Sequence, residues 1–339
     1  MVTHRGKKSC WAAAQAVLFL CLMFPPSAWS QQAERLLLRT TWIFNPSQAA
    51  FFMGKEKGFF KAAGIDLELQ DGRGSRKNLQ LLAAGKLPIA LADSGTAAQF
   101  ITQGFAGKVI YIYYQMSPMS VIAHEDKRIR SAKDLEGKRL GRVPASSNTA
   151  LFPAVAKRNS LDLSKVTLVN ATWATLATAF LKGEMDAILL HFPDNVPNLR
   201  AKGAKVNFLR YSDLGANTVG EGITATASFL KEKASLVRKL LRAVSQSFLY
   251  TNDHRDEAVA ALKKAAPLTV KDSKVAREIL DGYLSLLHTK NTQGKPLGWM
   301  AEKDWEDTLQ ILSKYAGMKN PLPAQRYYTN DWVPSKVTF

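Results

Sequence analysis

The chain has 339 residues, of which 46% are apolar and 22% charged, a composition typical of a folded protein and a length sufficient for two domains. It carries 46 Lys and Arg against 28 Asp and Glu, a formal net charge of +18. The basic residues are scattered and form no stripe interleaved with aromatic residues, which argues against nucleic acid as a partner.

The first 30 residues have the pattern of a secretory signal peptide. A basic start over 5–8 precedes an apolar stretch over 16–24 that is too short for a transmembrane helix, and the small residues after it predict cleavage following Ser30. Cleavage would remove Cys10 and Cys21 and leave a chain without cysteine. Such a chain has no disulfide, no cysteine–zinc site and no cysteine nucleophile. We therefore expect a soluble exported protein, periplasmic in a Gram-negative bacterium.

Strand and helix patterns alternate along the next part of the chain. The predicted strands are 36–42, 65–69, 88–91 and 109–114, and the predicted helices are 49–63, 78–84 and 96–103. Each helix is followed by a glycine that ends it: Gly64, Gly85 and Gly104.

A second alternating series begins near Val121. Its further strands are predicted at 139–143, 166–170, 186–190 and 206–209, and its helices at 151–158, 174–182 and 193–201. Ser131 and Asp134 have the spacing of a capping box. One more strand, 222–226, precedes three apolar faces with helical spacing, over 236–248, 275–287 and 305–315, whose aromatic residues we interpret as core. The alternation predicts an α/β protein.

Four polar loops follow predicted strands and precede predicted helices, at 45–48, 72–75, 92–96 and 146–149. The free N–H groups and positive dipole end of a helix suit an anionic or polar ligand, and four such loops indicate a shared cleft. His191 ends a strand, where α/β proteins place ligands. The sequence has no catalytic motif, metal-ligand pair or nucleotide-binding fingerprint, so no catalytic residue, metal or cofactor is predicted.

An ordered set of short segments resembles a known family. The segments are 42–46 (WIFNP), 58–67 (GFFKAAGIDL), 72–75 (GRGS), 82–85 (LAAG), 92–94 (ADS), 131–138 (SAKDLEGK) and 181–187 (LKGEMDA). Their order is similar to that of the sulfonate/nitrate/taurine and thiamine-pyrimidine-precursor family of ABC-transporter substrate-binding proteins, over about 36–250. The resemblance implies a type II periplasmic-binding-protein fold of two α/β lobes. Lobe 1 would comprise 31–118 plus 223–339 and lobe 2 would comprise 119–222, with hinges near 117–121 and 219–223.

The resemblance also implies a ligand pocket between the lobes. Its residues would be Trp42, Asn45, Ser47, Gln48, Arg73, Gly74, Ser75, Asp93, Ser94, Ser146, Ser147, Asn148, Trp173, His191, Asp194 and Glu221. Trp42 would form a flat apolar wall, and Ser75 and Ser147 would hold a polar or anionic group. Arg73 would pair with a charge on the ligand or point to solvent, and Glu221 would meet an amine or lie in a surface turn.

The expected ligand is a small organic anion or a heteroaromatic compound. The expected partner is an ABC permease at the membrane, and such a receptor is expected to be a monomer that catalyses nothing. The main alternative is an enzyme on the same scaffold, because this fold resembles a desulfinase and pyrimidine-precursor synthases. Those enzymes depend on cysteine, or on a cysteine-rich motif and a histidine, so a cysteine-free mature chain argues against them. A sensory or tripartite-system component is a third possibility.

Overall fold

The computed structural model describes residues 1–2, 33–144 and 146–338. The cleavage point at Ser30 and both cysteines, Cys10 and Cys21, lie outside the described residues, so the signal peptide stays a prediction. Contacts group Glu34–Phe339 into one compact unit. Within the described part of the chain, no helix has the length and apolar character needed to cross a membrane.

The first part of the chain builds two small sheets. Strand β1 (Glu34–Arg39) pairs in parallel with β2 (Ile65–Gln70), whereas β10 (Glu221–Thr226) lies antiparallel between β3 (Ile89–Asp93) and β4 (Gly107–Ile112). The helices between these strands are α1 (Ala49–Glu56), α2 (Phe59–Ala62), α3 (Ser75–Ala83) and α4 (Ser94–Thr102). Asn78 is buried in α3, and its side-chain amide donates to the carbonyls of Thr40 at 2.8 Å and Leu91 at 3.0 Å. This side chain therefore links the residue that follows β1 to the middle of β3, and so joins the two sheets.

The middle of the chain builds one five-stranded sheet in the order β7-β6-β8-β5-β9. Its strands are β5 (Met119–His124), β6 (Arg139–Arg142), β7 (Thr167–Asn170), β8 (Ala187–His191) and β9 (Val206–Arg210). The helices are α5 (Ser147–Arg158), α6 (Leu176–Leu181) and α7 (Phe192–Ala201). The capping box predicted at Ser131 and Asp134 is confirmed, and it opens a 3-10 turn over Ala132–Leu135.

The chain crosses between the two groups of sheets twice, through 113–118 and through 211–220. In each group, the strand that follows a crossing runs antiparallel to both neighbours. β5 pairs in this way with β8 and β9, and β10 pairs in this way with β3 and β4. Each group thus contains one strand that the chain enters after crossing from the other group. Two groups of strands joined by two crossings are the two-lobed arrangement that the sequence predicts.

Five helices follow β10: α8 (Ala227–Glu232), α9 (Ala234–Asp253), α10 (Arg255–Ala265), α11 (Ser273–Leu284) and α12 (Glu302–Tyr315). The apolar faces predicted for α9, α11 and α12 are confirmed, and Trp305 on α12 is fully buried. The chain after 222–226 is predicted to be helical, but no apolar face is predicted for α10. Its buried residues include two alanines among charged neighbours, which give a weak apolar signal.

Three predicted boundaries differ from the structure for local reasons. β1 ends at Arg39 rather than Trp42, because the Thr40 hydroxyl donates to the Trp42 carbonyl at 2.6 Å and turns the chain. The helix predicted over 49–63 is interrupted at Gly58, whose φ of 75° is left-handed. Helix α5 begins at Ser147, because the Ser146 side chain accepts from the Thr149 N–H as its N-cap.

Candidate ligand-binding site

Glu221 opens strand β10, directly opposite Asp93 at the end of β3. Its two carboxyl oxygens accept hydrogen bonds from the Thr41 hydroxyl at 2.8 Å and the Tyr113 hydroxyl at 3.0 Å. Burial raises the pKa of Glu221 to about 7. Repulsion from Asp93 and Asp194 also raises this pKa, whereas the two hydrogen bonds lower it. Glu221 therefore lies in a strand among other acids, and not in a surface turn.

Asp93 is the N-cap of α4 and lies beside Glu221. Its Oδ1 accepts from both the backbone N–H and the hydroxyl of Thr96, each at 2.7 Å, and its own N–H donates to the Ser75 hydroxyl at 3.0 Å. Burial raises the pKa of Asp93 although the Thr96 hydrogen bonds lower it. Ser94 follows and is buried, and among the described residues its hydroxyl has no hydrogen-bond partner. A buried hydroxyl without a partner in the protein is commonly paired by an ordered water.

Asp194 comes to the same place from the first turn of α7. Its Oδ2 accepts from the Tyr283 hydroxyl of α11 at 2.5 Å. Burial raises the pKa of Asp194 to about 6, while the hydrogen bond from Tyr283 lowers it. Asp194 and Glu221 are close enough for their charges to interact. Three carboxyl groups from three separate elements thus share one partly buried region, called here the carboxyl cluster (Asp93, Asp194 and Glu221).

Three tyrosines pack beside the carboxyl cluster. The ring centroids of Tyr113 and Tyr114 are 5.0 Å apart, and those of Tyr114 and Tyr283 are 5.1 Å apart. The Tyr114 hydroxyl donates to the Ser47 carbonyl at 2.6 Å. All three side chains are buried, so they exclude water from one side of the acids and lower the local dielectric constant. This explains why burial is the first cause of each raised carboxyl pKa.

The loop after β1 uses most of its polar side chains on itself. Asn45 caps the 3-10 turn Pro46–Gln48 by accepting from the Ser47 N–H at 2.9 Å, and Gln48 accepts from the Asn45 N–H at 2.9 Å. Ser47 and Gln48 are buried and hydrogen-bonded to each other. The same loop leaves Trp42 55% exposed. The capping residues therefore hold the loop in shape, while Trp42 has an open face.

The next polar loop surrounds the start of α3. Arg73 is exposed, and Gly74 has a φ of 104° that favours glycine. The Gly74 N–H donates to the Thr41 carbonyl at 2.7 Å. Thr41 is also a donor to Glu221, so this loop and the carboxyl cluster share one anchor.

The other predicted site residues follow the strands of the five-stranded sheet. Ser146 caps α5, Ser147 is exposed, and Asn148 is buried with a side-chain oxygen that has no partner among the described residues. Trp173 is 62% exposed in the loop after β7. Burial lowers the pKa of His191, at the end of β8, to about 4, so this imidazole is neutral at pH 7.

The structure thus brings some predicted residues together and leaves others apart. Asp93, Asp194 and Glu221 meet, with Ser75 and Ser94 next to Asp93. In the described part of the chain, no hydrogen bond links the side chains of Trp42, Arg73, Ser147 or Trp173 to the carboxyl cluster. The described residues also contain no group of three acidic, histidine or cysteine side chains that could hold a metal ion.

The sequence reading missed the hydroxyl partners of the carboxyl cluster, which are Thr41, Tyr113 and Tyr283. It also missed Tyr114, which packs between Tyr113 and Tyr283. The sequence pattern places Tyr113 and Tyr114 in a strand and Tyr283 on an apolar helix face. One signal was present: neighbouring residues in an extended segment point to opposite sides, so two adjacent tyrosines near a strand end direct one hydroxyl to each side. Their partners lie 108 and 67 residues away and are set by the fold.

Curated relatives align over most of the chain. It is 24% identical to the riboflavin-binding protein RibY of Chloroflexus aurantiacus, over 89% of this chain and 86% of that protein. It is 21% identical to the formylaminopyrimidine-binding protein of Halalkalibacterium halodurans, over 93% of this chain and 96% of that protein.

Solved structures match the fold at lower identity. The periplasmic aliphatic sulphonate binding protein SsuA of Escherichia coli superposes with a TM-score of 0.68 at 15% identity, covering 88% of this chain and 99% of that chain. The desulfurization enzyme DSZB gives a TM-score of 0.57 at 17% identity, covering 88% and 97%. The fold is thus that of the periplasmic binding proteins, as predicted. A family model described as NMT1/THI5-like matches residues 45–258, so the chain belongs to the NMT1/THI5-like family.

Proposed function

We propose that the protein is the extracytoplasmic solute-binding component of an ABC importer, and that it captures a nitrogen-containing heteroaromatic compound between two lobes. The lobes would be 31–118 plus 223–339 and 119–222, closing by hinges near 117–121 and 219–223. The observation that carries the proposal is the carboxyl cluster, which joins the ends of β3 and β10 to the start of α7.

The chemistry of the carboxyl cluster selects between the two ligand classes expected from the sequence. Ionised carboxylates accept hydrogen bonds and repel anions, most strongly where water is excluded. An organic anion would add a negative charge beside Asp93, Asp194 and Glu221. A ring bearing N–H donors would instead satisfy these acceptors and reduce the repulsion between Glu221 and its acidic neighbours. The heteroaromatic class is the better fit.

Exposed aromatic residues supply the second requirement of such a site. Trp42 follows β1 and Trp173 follows β7, and both are more than half exposed. Flat rings of this kind stack on heteroaromatic ligands, an interaction worth about 1–3 kcal/mol per ring in nucleobase recognition. Ser75, Ser94 and the capped loop 45–48 would complete the wall from lobe 1. Ser146, Ser147, Asn148 and His191 would complete it from lobe 2.

The names of the curated relatives support this ligand class. Both riboflavin and a formylaminopyrimidine are nitrogen heterocycles with polar N–H or carbonyl edges. The sulphonate-binding neighbour shares the fold at 15% identity and gives no guide to the ligand. The protein would deliver its ligand to a membrane permease and act as a monomer.

We also propose that the protein is not an enzyme. The desulfinase alternative requires a cysteine nucleophile, and residues 31–339 contain no cysteine. The partly buried, neutral His191 would serve the pocket as a hydrogen-bonding side chain. A ligand recovered unchanged after incubation with the protein supports this, and a consumed ligand overturns it.

A thermal-shift experiment tests the ligand class. The purified protein is heated with riboflavin, a formylaminopyrimidine, an alkanesulfonate or no ligand. A compound present at 100 times its dissociation constant adds about 2.7 kcal/mol to the free energy of unfolding. We expect a shift with a heterocycle and none with the sulfonate. A shift with the sulfonate alone would refute the heteroaromatic assignment.

A further inference from the structure

The carboxyl cluster lacks a positive counter-charge. The chain carries 46 Lys and Arg, yet among the described residues no ion pair includes Asp93, Asp194 or Glu221. The charged groups that act on Glu221 are the other two acids, and both raise its pKa. His191 is neutral at pH 7 because burial lowers its pKa to about 4, so it adds no positive charge. The described part of the chain therefore gathers three acids in one place without a basic side chain to pair with them.

Two of these acids face each other across a pair of strands. Glu221 of β10 lies directly opposite Asp93 of β3 in the antiparallel register. Side chains in such positions have Cβ atoms about 4.5–5.5 Å apart, and like charges there destabilise a sheet. Keeping both acids thus costs folding stability, which is typical of residues that serve a binding site.

Protonation relieves the repulsion only in part at neutral pH. Burial raises the pKa of Asp194 to about 6 and that of Glu221 to about 7, so at pH 7 the first is mostly ionised and the second is about half ionised. The hydrogen bonds that the two carboxyl groups accept come from neutral hydroxyls, those of Thr41, Tyr113 and Tyr283. A neutral donor leaves the net negative charge in place, whereas a cation removes it.

A buried hydroxyl beside the acids is a second, separate feature. Ser94 is fully buried, and its hydroxyl has no hydrogen-bond partner among the described residues. Its N–H donates to the carbonyl of Gly220, the residue before Glu221, at 2.8 Å. A hydroxyl of this kind is commonly paired by an ordered water, whose place an N–H group of a ligand can take.

Aromatic rings complete the surroundings of the acids. Tyr113, Tyr114 and Tyr283 are buried and pack side by side, and Trp42 presents an exposed ring on the same loop segment as Thr41. The face of an aromatic ring attracts a cation. A flat cation with delocalised charge stacks on such rings and is more weakly hydrated than a compact ammonium, as guanidinium is, so it loses less hydration on entering a buried site.

We propose that the ligand is positively charged, so that a cationic nitrogen heterocycle supplies the counter-charge that the carboxyl cluster lacks within the protein. The inference rests on the proposed binding function and deepens it, because it specifies the charge of the ligand as well as its ring. The acids then pair with the ring cation, and the aromatic side chains lie against its faces.

A matched pair of probes tests the charge separately from the shape. 1-Methylnicotinamide is a permanently charged ring cation, and 3-methylbenzamide has the same shape with carbon in place of the charged nitrogen. Both are titrated at millimolar concentration into the purified protein at pH 8 in a calorimeter. Because hydrogen bonds to charged groups are the stronger ones, we expect the cation to bind about tenfold more tightly than the neutral isostere.

Variants of the acids connect this preference to the carboxyl cluster. Glu221→Gln and Asp93→Asn remove one charge each, and asparagine remains a good N-cap for α4. Each should weaken binding of the cation about tenfold and leave that of the isostere unchanged. Glu306→Gln, at an exposed position on α12, is the matched control and should change neither.

The pH dependence gives an independent result. The groups that face Asp194 and Glu221 are Asp93 of β3, Thr41 after β1, Tyr113 and Tyr114 after β4, Tyr283 of α11, and His191, which precedes Asp194. Burial keeps the three tyrosines protonated and the histidine neutral between pH 5 and pH 8. A cation stabilises the ionised acids, so protons compete with it below a pKa of about 7. We expect 1-methylnicotinamide to bind about tenfold or more weakly at pH 5 than at pH 8, with no such change for the isostere.

Three outcomes would overturn the proposal. They are equal binding of the two probes, binding of neither probe, and a preference for the cation that Glu221→Gln and Asp93→Asn leave unchanged. A protein that binds riboflavin or a formylaminopyrimidine in the thermal-shift experiment, but not 1-methylnicotinamide, would refute the positive charge and leave the proposed function standing. A protein that binds only the alkanesulfonate would refute the proposed function itself, so the two failures are distinguishable.

Discussion

Replacing Glu221 by Gln should stabilise the unliganded protein at high pH and leave it unchanged at low pH. Burial raises the pKa of Glu221 from 4.5 to about 7. Because the folded-state pKa is the higher one, the protonated acid favours folding below pH 4.5, and this contribution is lost as the pH rises through 7. At 1.36 kcal/mol per pKa unit, the ionised side chain costs about 3 kcal/mol above pH 7.

The glutamine has nearly the same shape and no charge. Thr41 and Tyr113 carry hydroxyl groups that either donate or accept, so both contacts of Glu221 can be retained by an amide. The difference in the free energy of unfolding between Glu221→Gln and the unaltered protein should be near zero at pH 4.5. It should reach about 3 kcal/mol at pH 8.

Urea denaturation of the ligand-free protein at pH 4.5, 6 and 8, followed by tryptophan fluorescence, measures this difference. Glu306→Gln is the matched control, because Glu306 is exposed on α12. Subtracting the free energy of unfolding of the unaltered protein at each pH removes the contribution of every other titrating group. A difference that does not change with pH would refute the conclusion that Glu221 is desolvated among other acids.

Three further substitutions test other parts of the structure. Gly282→Ala should lower the free energy of unfolding by about 1–3 kcal/mol in urea denaturation, because the added methyl group meets Pro193 at 3.0 Å; an unchanged value would contradict the close helix contact. Asn78→Ala should cost about 1–3 kcal/mol by leaving the buried carbonyls of Thr40 and Leu91 without this donor, again measured in urea; a neutral result would mean that the amide does not link the sheets. Trp42→Ala should weaken heterocycle binding by about 5- to 150-fold in fluorescence titrations without lowering stability, since the side chain is 55% exposed. Leu268→Ala, at a position 93% exposed, should do neither.

The fold could be predicted from the sequence because its signals are local. Alternating strand and helix patterns and the glycines at helix ends gave the order of the elements, with most boundaries within a few residues. The elements whose bounds differ have local causes that the hydrophobic pattern does not show. The hydroxyl of Thr40 ends β1 before Trp42, and the alanine-rich face of α10 resembles a charged surface segment.

The site was less predictable because its partners are distant in sequence. Glu221 and Asp194 could be named as candidates, but Thr41 lies 180 residues from Glu221 and Tyr283 lies 89 residues from Asp194. Only the second crossing, which inserts β10 beside β3, brings Glu221 opposite Asp93. Asn45 and Gln48 are a different case. The structure shows that they form a capping box, although the sequence analysis assigned both only to the ligand pocket.

Isothermal titration calorimetry at pH 7.5 tests the central claim most directly, with riboflavin, a formylaminopyrimidine and an alkanesulfonate titrated into the purified protein. The account predicts saturable binding of a heterocycle, weakened by Glu221→Gln because the amide is a poorer acceptor for N–H donors. It predicts no binding of the sulfonate. Binding of the sulfonate alone, or heterocycle binding that Glu221→Gln leaves unchanged, would contradict it.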